Sequence, residues 1–225
     1  MRLNSMCISC LVGKQERKIS GFSDEDKKTA YMKEITKIIG ESDDEASSPY
    51  LGYLFNQVYQ RYFGALKDYT EIKKEYNAFV LGMEGALYDE ILKAEDPLAQ
   101  AIIYARIGNY IDFGALQHVE KELFRDEGKN RLDGSVYESF LRDCGSGKRF
   151  LLLTDNCGEV VLDKLFIKEL EKRFPHLDIC VMVRGEEVLN DATMVDAKEG
   201  GLCEAAKGIH NGNGIAGTIE NMLHG

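Results

Sequence analysis

"RFLLLTDNCGEVVLDKLFIKELEKRFPHLDICVMVRG", Arg149 to Gly185, decides the fold class. It opens with the apolar run RFLLLTD, which ends on an acid. EVVLDKLFIKELEKRF follows, with Val161, Leu162, Leu165, Phe166 and Leu170 along a helical stripe. LDICVMVRG is then a second β-rich run. Parallel neighbours need a crossover between them, so strand, helix and strand at this spacing make a βαβ unit and favour a parallel sheet with helices on its faces. Beyond it, DATMVDAKEGGL reads as a further helix ending at paired glycines, and a third strand is expected around Gly208 to His210. A doubly wound sheet usually has more strands than this. Either earlier segments contribute strands or the chain stops early.

Upstream the pattern is helical. From about Asp24 to Leu141, apolar residues recur at mixed three and four spacings: Tyr31, Ile35, Ile38 and Ile39, then Leu51, Leu54, Phe55, Val58, Tyr59 and Tyr62. Ser47 and Ser48 before Pro49 read as a helix entry, and Asp96 before Pro97 repeats the signal. The composition changes at CGSGK, Cys144 to Lys148. The expected organisation is α/β: a mainly helical N-terminal region over 1–145 and a Rossmann-like α/β region with a parallel sheet over 146–225. GSGK, Gly145 to Lys148, precedes its strand instead of following it, so it reads as a turn and not as a phosphate loop.

The chain has 225 residues, a formal net charge of -10 and 44% apolar residues, enough for a real core. Binding to a polyanion draws on Lys and Arg neutralising phosphates. Nucleic acid and anionic membrane are therefore not the expected partners. No apolar segment approaches the roughly 20 residues that span a bilayer, and the N-terminus lacks a long apolar signal core. The expected address is the cytoplasm. Tyr50, Tyr53, Phe55 and Tyr59 read as core, with an interface between copies as the alternative.

In a parallel α/β sheet, side chains placed just after a strand point into the ligand crevice. Asp155 and Asn156 follow the first strand, and Asn190 and Asp191 follow the second by a few residues. Their oxygens suit hard divalent cations such as Mg²⁺ or Mn²⁺. Asp and Asn are also the preferred helix N-caps, so either pair alone reads first as a cap, and it is the two pairs at equivalent loop positions together that point to function. Glu159 is a second-sphere partner of such a centre or a first-turn acid favoured by the helix dipole. Asn109 and Asp112, in the apolar run around GNYID, carry the same two readings, since polar groups there are costly to bury without partners. HNGNGIAGT, His210 to Thr218, is placed to lay backbone amides against an anion.

Cys7 and Cys10 form a C-x-x-C with no second such pair, so a structural role stands beside a metal or redox role. Cys157 lies where a helix N-terminus would lower its pKa and favour a nucleophilic thiol, with His176 or His210 as conceivable partners in space.

TDNCGEVVLDKL, VRGEEVLNDATMVDA and ARIGNYIDFG, together with the early C-x-x-C, resemble the metal-dependent damage-control phosphatase family, in particular its prokaryotic branch. The resemblance implies a helical region beside a Rossmann-like domain. It implies a divalent cation, Mn, Co, Ni or Mg, held at the positions of Asp155, Asn156 and Asp191, with Asn109, Asp112, Asn190 and Glu159 near the substrate. It also implies hydrolysis of phosphate monoesters of small metabolites such as sugar phosphates. Members of this branch usually carry an acid and a proline where this sequence reads NGNGIAGT, and continue well beyond it to a Lys-Gly-x-x-Asn-type motif not found in these 225 residues. The resemblance thus implies a metal half of the site within these residues, with part of the phosphate half expected to be absent from them. Two alternatives follow: an S-adenosylmethionine-dependent carboxyl methyltransferase, described for one branch of the family, and a non-catalytic metal-binding remnant.

Overall fold

The computed structural model describes residues 3–43, 45–108, 131–210 and 212. The described residues fall into two compact units that divide between Asp68 and Tyr69. The first is described through helices α1 (Ser5–Ile19), α2 (Glu25–Glu41) and α3 (Ser48–Phe63). Each begins at a polar cap whose side chain accepts from an amide in the first turn: Asn4 from Cys7, Asp24 from Lys27, Ser47 from Tyr50. Ile19, Tyr31, Ile35, Leu51, Phe55 and Val58 fill their core. Phe55 is therefore core as expected, and Tyr59 packs edge-on against Tyr31, whereas Tyr50 is exposed. Tyr31 is fully buried and its hydroxyl donates to Gln15 at 2.6 Å, which satisfies the one polar end of a large apolar side chain. The helix α1 lies upstream of the region whose periodicity reads as helical.

The second unit contains α4 (Thr70–Leu81), α5 (Glu84–Lys93), α6 (Pro97–Gly108) and α7 (Gly134–Ser146), then β1 (Arg149–Leu153), α8 (Glu159–Arg173), β2 (Asp178–Val183), α9 (Met194–Glu199), α10 (Leu202–Ala205) and β3 (Lys207–His210). The sheet's unit thus takes in helices from both sides of the composition change near residue 145. GSGK is only half a turn: α7 continues to Ser146, and Gly147 closes it by donating to Asp143 O at 2.8 Å.

The three strands form one parallel sheet in the order β1-β2-β3, with Leu153 beside Met182 and Val183 beside His210. This is the expected βαβ arrangement with its third strand. Among the described residues, no segment before Arg149 adds a strand to it. Helix α8 differs from the amphipathic element its stripe predicts, because every residue from Glu159 to Ile167 is buried. Phe150 of β1 packs edge-on against its Phe166, and α4, α5, α6 and α10 pack around it. Its cation Lys164 is held by Glu84 at 2.7 Å, so the polar face is buried with a partner and not solvated.

Candidate functional site

Parallel pairing brings the C-terminal ends of β1 and β2 level, and the loops leaving them are stitched together. Ala192 N donates to Asp155 O at 2.7 Å and Cys157 N to Asn190 O at 2.8 Å, which pairs Asn156 with Asp191 as a short antiparallel bridge. The two Asn/Asp pairs expected to share a crevice are therefore direct neighbours. Their side chains continue the contact: Asn190 Nδ2 donates to Asn156 Oδ1 at 2.6 Å. Asn156 Nδ2 and its backbone N donate to Glu159 Oε2 at 3.1 and 3.3 Å. Asp191 Oδ2 accepts from Arg184 Nε at 2.7 Å.

The capping alternative does not hold for either pair. Gly158, with φ of 72°, occupies the N-cap of α8. That positive φ is readily open to glycine alone, and an added side chain would also press on Val80 and the Tyr76 carbonyl of α4. At α9 the cap is Thr193, whose backbone N and hydroxyl both donate to Asp196 Oδ2 at 2.8 Å. Asp155, Asn156, Asn190 and Asp191 stand outside the helices they precede.

The centre is acidic and at least half-buried. Burial, opposed by the two Asn156 hydrogen bonds and reinforced by the charge of Asp155, pushes Glu159 up to about 7. Asp163, one turn further along α8, is only 3% exposed. It is raised well above the carboxylate range by burial and by the charges of Glu159 and Asp155, and its Oδ2 is buried without a hydrogen-bond partner. Asp191 is raised by burial, against the pull of Arg184, and feels Asp155 as well. Carboxylates that raise one another, with an orphaned buried oxygen behind them, are the surroundings in which a cation relieves charge. Among the described residues no three or more His, Cys, Asp or Glu side chains cluster to hold a metal ion. The donor set here is two carboxylates and one amide, an oxygen set that fits a hard divalent cation with open positions for water or a substrate oxygen.

Beside the acids lies a cavity of about 470 Å³, its wall formed by Ile102, Arg106, Tyr137, Phe140, Glu159 and Asp163, among others. Asn109 and Asp112 lie outside the described residues, as does all of the glycine-rich 210–218 stretch except His210 and Gly212. Cys157 does not become a nucleophile. It is 1% exposed, and burial with the nearby charge of Asp196 pushes its thiol up to about 12, which overrides the helix N-terminus. His176 sits past the far end of α8, against Phe174. Cys7 and Cys10 are free thiols in the first turns of α1.

Arg184, Lys73 and Asn77 are among the polar residues of this region that escape the sequence reading. Arg184 directly follows β2, so the rule that aims side chains after strands into the crevice reaches it too. Lys73 and Asn77 share the buried stripe of α4 with Tyr76 and Val80. A lysine and an asparagine at core spacing are their only signal.

A family model described as "Damage-control phosphatase ARMT1-like domain" matches residues 3–222. A damage-control phosphatase of Archaeoglobus fulgidus is 30% identical over 233 residues, covering 99% of this chain and 79% of the relative. Damage-control phosphatase PH1575 of Pyrococcus horikoshii is 23% identical over 225 residues, covering 97% of this chain and 76% of the relative. The crystal structure of that DUF89 family protein matches the fold with a TM-score of 0.75 at 23% identity, over 99% of this chain and 78% of that one.

Proposed function

The chain belongs to the family of damage-control phosphatase ARMT1-like domains, and on that premise we propose that it is a divalent-metal-dependent phosphatase hydrolysing phosphate monoesters of small metabolites, sugar phosphates among them. The observation that supports the reading best is the backbone bridge between Asn156 and Asp191, which puts an Asp-Asn pair and an Asn-Asp pair side by side at the carboxyl end of the sheet. Asp155, Asn156 and Asp191 would hold the cation. When bound, such an ion acts as a Lewis acid toward a phosphoryl oxygen and lowers the pKa of a water beside it.

The rest is done by the chain's own groups. Glu159 and Asn190 fix both ends of the Asn156 amide, so its orientation is set before any ligand arrives. Arg184 holds one oxygen of Asp191 and leaves the other to a ligand. It also supplies a positive charge at the crevice that a phosphate dianion can meet. The buried shell of α8 behind the loops keeps water from that side. Asn109 and Asp112 belong to this reading through the resemblance of their segment, as residues beside the substrate.

The test is phosphate release from p-nitrophenyl phosphate and a panel of sugar phosphates, with Mn²⁺, Co²⁺, Ni²⁺ or Mg²⁺ and with chelator. Turnover that needs metal and is lost in Asp155→Ala and Asp191→Ala supports the reading. Metal-independent release, or turnover indifferent to both substitutions, contradicts it. Metal binding without turnover marks a non-catalytic metal-binding chain. A phosphoryl group trapped on Asp155 would show that this carboxylate attacks phosphorus itself.

A further inference from the structure

Both loops of the centre are fastened to the same helix. Lys73 and Asn77, one turn apart on α4 and so on one face, are 2% and 1% exposed. Asn77 Oδ1 accepts from Gly158 N at 2.7 Å, two residues beyond Asn156. Its Nδ2 donates to Asp196 Oδ1 at 3.0 Å and to Glu199 Oε2 at 3.3 Å. Lys73 Nζ pairs with Asp196 Oδ2 at 2.8 Å and with Glu187 Oε2 at 2.6 Å. Asp196 is the acid that closes α9 onto Thr193, two residues after Asp191, and Glu187 accepts from the Thr193 hydroxyl at 3.3 Å. One face of α4 therefore reaches the β1 loop through Gly158 and the β2 loop through Asp196 and Glu187.

Burying an ammonium is costly, and an apolar pair in its place is commonly as stable or more so. The gain from a polar brace is geometric: directional bonds fix where the loops stand, which packing alone does less sharply. Glycine at 158 lets the loop backbone come close enough for Asn77 to reach it.

We propose that Lys73 and Asn77 are positioning residues that set the Asn156 and Asp191 loops against each other and thereby govern divalent-metal affinity. The inference rests on the metal-centre reading above. Its mechanism is distinct from general stability, because another buried ion pair of the same unit, Lys164 with Glu84, does not touch either loop's oxygen pairs.

The experiment is calorimetric titration of the full chain with Mn²⁺ alone, beside urea unfolding in chelator, for Asn77→Ala, Lys73→Met, Lys73→Arg, Asp191→Ala and the comparison variant Lys164→Met. Asn77→Ala and Lys73→Met are expected to weaken Mn²⁺ binding roughly 10- to 100-fold, the usual cost of losing an outer partner of a metal ligand. Lys73→Arg should recover most of that loss. Lys164→Met should unfold more easily yet bind Mn²⁺ as the wild type does. Should Lys73→Met fail to fold, Asn77→Ala and Lys73→Arg carry the same comparison. Wild-type affinity in folded Asn77→Ala and Lys73→Met, or an equal loss in Lys164→Met, would overturn the brace while Asp191→Ala still reports on the centre. A wild type that binds no Mn²⁺ would overturn the metal reading and the brace together.

Discussion

Replacing Glu159 by glutamine should stabilise the metal-free protein, and by an amount that depends on pH in one direction only. Glu159 is buried beside Asp155, and its carboxyl titrates at about 7 against an ordinary value of 4.5. Because the folded value is the higher, the folded chain binds more protons between those two values. The carboxyl's contribution to stability is complete below pH 4.5 and is lost as pH rises through about 7. At about 1.36 kcal/mol per unit, the loss comes to about 3 kcal/mol. Glutamine does not titrate, and its carbonyl still accepts from the Asn156 donors that now reach Oε2. Urea unfolding in chelator from pH 4.5 to 8.5 reads the effect as the difference between variant and wild type. That difference should grow in favour of Glu159→Gln by about 3 kcal/mol across the window. A difference independent of pH, or a wild type more stable than the variant at pH 8, would refute the argument that burial near Asp155 strains this acid.

Gly200→Ala would place a methyl group 2.7 Å from Val160 Cγ2 and should cost about 1–3 kcal/mol in urea unfolding, whereas Gly21→Ala, with nothing within 4 Å, should not. Leu165→Ala empties a fully buried position in the core around α8 and should cost about 2–5 kcal/mol by the same measurement. An aromatic disulfide reagent should label exposed Cys10 in the folded protein and leave Cys157 unmodified until denaturant is added; rapid labelling of Cys157 would contradict its raised pKa and burial.

The first two strands were legible because β1 and β2 are short apolar runs set off by glycine, proline or acids, and the spacing between them leaves room for a crossover helix; β3, KGIH, carries one large apolar residue and shows chiefly by its place after the next helix. The oxygen pairs were legible by position, since both follow strands that end at one edge. What resolved their role was not. A cap and a ligand have the same composition, and only the backbone shows that Gly158 and Thr193 take the caps. Helix α8 misleads for a related reason. Asp163 and Lys164 give it the polar face of a surface helix, yet α6 and the first turn of α5 cover that face. Lys73 meets Glu187 from 114 positions away and Asn77 meets Glu199 from 122, distances at which no local pattern speaks. Cys157 shows the reverse error, a local rule about helix N-termini overridden by burial.

The central claim is that Asp155, Asn156 and Asp191 hold a divalent cation together. Electron paramagnetic resonance of Mn²⁺ titrated into the wild type, Asp155→Ala and Asp191→Ala tests it most directly, because free and bound Mn²⁺ give separate signals without any substrate. Loss of the free-ion signal on adding wild-type protein, with the signal retained in both variants, is the result expected from the bridged loops. Equal uptake of Mn²⁺ by all three proteins would place the ion elsewhere and contradict the account.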